Sequence, residues 1–80
     1  MQFEVHCRFP LDGDTDWEVI DARVRSIAGK RSDWSGTDGK WREHGWFVKV
    51  FEQAVSLKDR LNGIDGVTAT VRERVTEDAI

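Results

Sequence analysis

Gln2-Phe3-Glu4-Val5-His6-Cys7-Arg8-Phe9 is the stretch on which the fold turns. Successive side chains of a strand point to opposite faces, so Phe3, Val5, Cys7 and Phe9 share one side and Gln2, Glu4, His6 and Arg8 the other. Such a strand has one dry face and one wet face. Whatever covers the dry face must come from further along the chain.

Pro10 ends the strand, and Asp12-Gly13-Asp14 turns the chain toward a helix. Thr15 is placed to cap that helix, with Glu18 three residues on completing a capping box. Trp17, Ile20, Val24, Ile27 and Ala28 recur at helical spacing, Asp21, Arg23 and Arg25 fall mainly toward water, and Gly29 supplies the stop. Ala54, Leu57, Leu61 and Ile64 write a second amphipathic helix, closed by Asn62-Gly63. No good N-cap residue precedes Glu52.

Between the helices the pattern predicts a short strand from Lys30 to Ser35 around Trp34 and a polar loop holding Gly36, Asp38 and Gly39. A third strand follows from Gly45 to Phe51, with Trp46, Val48 and Val50 inward and Phe47, Lys49 and Phe51 outward. Gly66 opens the last strand, in which Val67, Ala69, Val71 and Val75 face inward and Thr68, Thr70, Arg72 and Arg74 face out. Residues 76–80 read as a frayed tail.

Each helix carries a single apolar stripe and each well-patterned strand a single apolar face, so both helices belong on one side of one sheet. Right-handed crossovers then predict an α+β fold, a ferredoxin-like βαββαβ sandwich with a four-stranded antiparallel sheet whose first and third strands are central. The 80 residues suffice for one domain, 1–80, built around its Trp and Phe side chains.

Composition narrows the functional classes. A net charge of -3 offers no general attraction to phosphate backbones. The longest apolar stretch, Trp46-Phe47-Val48, is far short of the roughly 20 residues of a membrane helix. The start of the chain lacks a signal-peptide pattern and Cys7 has no second cysteine to pair with, so a cytoplasmic setting is expected.

No chemical motif is complete. Asp12, Asp14, Asp16 and Glu18 occupy the first, third, fifth and seventh positions of a calcium loop, but Trp17 stands where that loop needs glycine and Arg23 where it needs a bidentate carboxylate. These carboxylates suit the positive end of the first helix. His6 and Cys7 point to opposite faces and cannot share a metal. Gly36-Thr37-Asp38-Gly39-Lys40 lacks the glycine spacing of a phosphate loop. His44 reads as a loop histidine at the entrance to the third strand, with no nucleophile marked for it. Neither an enzyme nor a cofactor or metal site is expected.

His44-Gly45-Trp46-Phe47-Val48-Lys49-Val50-Phe51, with its glycine followed by aromatics, resembles the strand-three signature of the RNA recognition motif. That resemblance implies single-stranded RNA stacked on the sheet. The sequence departs from the motif at Phe47, where a small residue belongs, and on the first strand, which offers Glu4, His6 and Arg8 in place of an aromatic.

The open sheet face is therefore the candidate site, with Glu4, His6, Arg8, Phe47, Lys49, Arg72 and Arg74 upon it and Trp34 and Trp41 near the loop that joins the second and third strands. Aromatics and arginine are enriched at protein contacts. The leading expectation is a small regulatory domain that binds a protein partner there, or a second copy of itself as a homodimer. Asp12, Asp14, Asp16 and Glu18 also suit an acidic inhibitor that occupies a basic groove of a nucleic-acid-handling partner. RNA binding and a self-associating small-ligand domain are the alternatives.

Overall fold

The computed structural model describes residues 2–74. The chain runs β1 (Gln2–Pro10), α1 (Trp17–Ala28), β2 (Trp34–Asp38), β3 (Trp41–Val48), α2 (Phe51–Asn62) and β4 (Thr68–Arg74). The strands form one four-stranded sheet in the order β2-β3-β1-β4, and every neighbouring pair is antiparallel. The fold is α+β. No helix among the described residues is long and apolar enough to cross a membrane.

The alternation of β1 places Val5, Cys7 and Phe9 in the core. Register brings Val5 against Trp46 and Val71, and Cys7 against His44 and Ala69, so one side of the sheet is dry. Ile20 and Val24 of α1 and Ala54, Leu57 and Leu61 of α2 join these residues in one cluster. Both helices thus cover the same face. The wide side chains Trp46, Phe9 and Leu61 are fully enclosed.

Helix α1 begins one residue later than the capping box implies: Asp16 is the N-cap, and its carboxylate accepts the Glu18 amide at 3.0 Å. Gly29 ends the helix at φ 69, and its N–H reaches the Arg25 carbonyl. No side chain caps α2, in line with the weak start of its sequence.

The segment between the helices departs most from its pattern. The expected loop of Gly36, Asp38 and Gly39 forms most of β2 and its turn, and β3 starts at Trp41, four residues before Gly45. Gly39 takes φ 60 at the first central position of a two-residue hairpin turn and Lys40 a negative φ, the pattern of a type II′ turn. A hairpin glycine outweighed the polar composition around it. At its other end β3 stops at Val48; Lys49 and Val50 bend away, and Phe51 opens α2. Val50, expected inside, is 44% exposed, and Lys49 leaves the sheet. Val75 and the tail at 76–80 lie outside the described residues.

Candidate functional site: the open sheet face

Trp34, Gly45 and His6 form one row across β2, β3 and β1. Gly45 has no side chain, and a Cβ there would collide with the Trp34 indole. The indole therefore crosses the bare glycine and stacks on the His6 ring, with 5.6 Å between centroids and 21° between planes. Its Nε1–H donates to Glu4 Oε2 at 2.8 Å.

Glu4 is the largest departure from the expected surface. It lies on the open face by parity but is only 6% exposed, roofed by Trp34 and held by Arg72, whose Nε donates to Oε1 at 2.6 Å. Burial pushes its carboxyl up, but hydrogen bonds from Trp34 and Arg72 and the charges of Arg72 and His6 outweigh this and hold it below the ordinary range. Glu4 therefore ties β2, β1 and β4 together and does not present itself to a partner.

The rest of the face is ordered by cation–aromatic pairs. The Arg74 guanidinium lies 4.2 Å from the centre of the Phe47 ring and that of Arg8 4.4 Å from the Trp41 ring. His6 Nε2 donates to Glu43 at 2.8 Å. Trp41 is 38% exposed at one end of β3, and Phe47 is half-buried six residues along it, about 20 Å away. Arg8 and Arg74 have no carboxylate partner among the described residues. Folding thus joins His6, Arg8, Trp34, Trp41, Phe47, Arg72 and Arg74 on one surface, with Glu4 beneath it and Lys49 past its end. The acidic stretch is elsewhere: Asp12 and Asp14 lie exposed in the bend before α1, and Asp16 is occupied as its cap.

A second polar group sits on the covered side. His44, expected in a loop, belongs to β3 and is 2% exposed, stacked between Phe9 and Trp46. Its Nε2 lies 2.6 Å from Asp21 and its Nδ1 3.0 Å from the Ser32 hydroxyl. Asp21, expected toward water, is buried and also meets Arg25 at 2.9 Å and Arg42 at 3.3 Å. Burial raises its pKa, but the hydrogen bonds and charges of His44, Arg42 and Arg25 prevail and lower it. One signal for this group was present in the sequence: His44 shares parity with Trp46 and Val48, and a histidine on a dry face needs polar partners.

Among the described residues no three His, Cys, Asp or Glu side chains converge as a metal cluster. Compared with family models, with curated proteins and with solved structures, the chain matches none.

Proposed function

We propose that the chain is a ferredoxin-like domain that binds an extended, carboxylate-bearing segment of a partner protein along its open sheet face. The strand order β2-β3-β1-β4, with both helices against one side, supports the first part. The second part is carried by Arg8 and Arg74, each laid over an exposed or half-exposed ring and each lacking a carboxylate of its own among the described residues. A guanidinium over an aromatic ring uses no N–H on a carboxylate of its own and keeps N–H groups for pairing with a carboxylate from a partner. The two sites stand at opposite ends of the face, and a span of about 20 Å matches roughly six residues of extended chain. Net charge favours a protein over a nucleic acid, because a chain at -3 gains little from counterion release.

Titration with an acidic hexapeptide and with hexauridylate, followed through backbone amides and Trp fluorescence, tests the proposal. Peptide-dependent shifts confined to β1, β3 and β4, weakened by salt, support it. Saturable binding of the oligonucleotide at that face, or no response to either, overturns it.

A further inference from the structure

The Asp21, His44 and Ser32 group lies on the helix-covered side of the sheet, away from the docking face. Asp21 only accepts hydrogen bonds when ionised, so His44 Nε2 carries the proton facing it at 2.6 Å. In the neutral tautomer Nδ1 keeps its lone pair, and the Ser32 hydroxyl, 3.0 Å away, can donate to it. Phe9 and Trp46 clamp the ring on both faces. The sequence is nucleophile, base and orienting carboxylate, the arrangement by which a serine hydroxyl is activated.

Ser32 also opens outward. It is half-buried and forms part of the wall of a cleft of about 480 Å³, lined further by Arg25, Lys30, Arg31, Ser35 and Trp46. Lys30 and Arg31 have no ion-pair partner among the described residues. A nucleophile at the wall of a cationic cleft selects for anionic substrates.

We propose that Ser32 is the nucleophile of an esterase centre acting on esters of acids that carry a second negative charge. Ser32 Oγ forms a bond to the ester carbonyl carbon while its proton passes to His44 Nδ1. The bond from that carbon to the alkoxy oxygen breaks, and the alcohol leaves with the proton from Nδ1. Water then attacks the acyl-serine and gives a proton to Nδ1. As the free acid departs, that proton returns to Ser32 Oγ. Asp21 stays ionised throughout; it positions His44 and offsets the charge of the imidazolium. Lys30 and Arg31 hold the remote anion of the substrate.

The test uses the full chain with a fluorophosphonate probe and with the p-nitrophenyl monoester of terephthalic acid, whose second carboxylate cannot reach its own ester. The expected result is a single phosphonyl adduct on Ser32, a nitrophenol burst of one equivalent, and a preference of about tenfold for the terephthalate over the neutral benzoate ester. Ser32→Ala removes adduct and burst, whereas Ser32→Cys restores the burst. The buried Cys7 thiol, pushed up to about 12, adds no background to that variant. Arg31→Ala lowers turnover of the anionic ester toward that of the neutral one. Absence of an adduct on Ser32 in the folded protein, or ester turnover equal in Ser32→Ala, overturns the proposal.

Discussion

The indole of Trp34 lies across the bare α-carbon of Gly45 on the neighbouring strand, and this crossing lets it reach His6 and Glu4 on the strand beyond. The glycine that looks like part of an RNA-binding signature is thus explained by packing. It leaves room for an aromatic roof over a buried carboxylate.

Gly45→Ala is expected to destabilise the domain by about 1–3 kcal/mol, since the new methyl group drives the indole off its seat. Urea denaturation gives the loss, and a red-shifted Trp emission reports the displaced ring. An unchanged spectrum and midpoint would refute the crossing.

Acid should weaken the fold through Glu4 and Asp21. Both carboxyls lie below their ordinary values of 4.5 and 3.8, so the unfolded chain takes up protons first as pH falls. Their contribution is fully present above those ordinary values and is lost as pH drops through the lowered folded ones. Urea midpoints measured from pH 7 down to pH 3 should therefore fall, with a shallower slope in Glu4→Gln.

Asn62 was read from the sequence only as a stop signal, but its amide makes a pair of hydrogen bonds with the backbone of Ala69 on edge strand β4. Its Nδ2 donates to the carbonyl at 3.0 Å and its Oδ1 accepts the N–H at 2.8 Å. Asn62→Ala is expected to cost about 1–3 kcal/mol. Hydrogen exchange at the Ala69 amide should accelerate more than at Val71.

Phe47→Ala and Arg74→Ala separate docking from folding. Arg74 is exposed, so losing its contact with Phe47 should change stability by no more than about 1 kcal/mol. Calorimetric titration with the acidic peptide should show each variant binding at least about tenfold more weakly. Equal affinities would remove this end of the face from the interface.

Much of the architecture was legible because it depends on period alone. The alternation of Phe3 to Phe9, the stripes of Ile20 with Val24 and of Leu57 with Leu61, and the stops at Gly29 and Asn62 are local facts, and strand order follows from them through handedness. The stretch from Lys30 to Trp41 was misread because hairpin register depends on which residues find partners. Polar residues such as Ser35 and Thr37 settle into β2 only when β3 lies beside them.

Which residues of β1 and β4 face the sheet's open side was therefore determined by the sequence itself, since pleat parity admits only two answers and burial chooses between them, whereas the end of β3 before Lys49 was not. Tertiary structure alone decided that Glu4 is roofed and unavailable, and that Asp21, Ser32 and His44 meet. Residues 12 to 68 positions apart come within hydrogen-bond reach only through long-range packing, and a buried charge is tolerated only where such distant partners converge upon it.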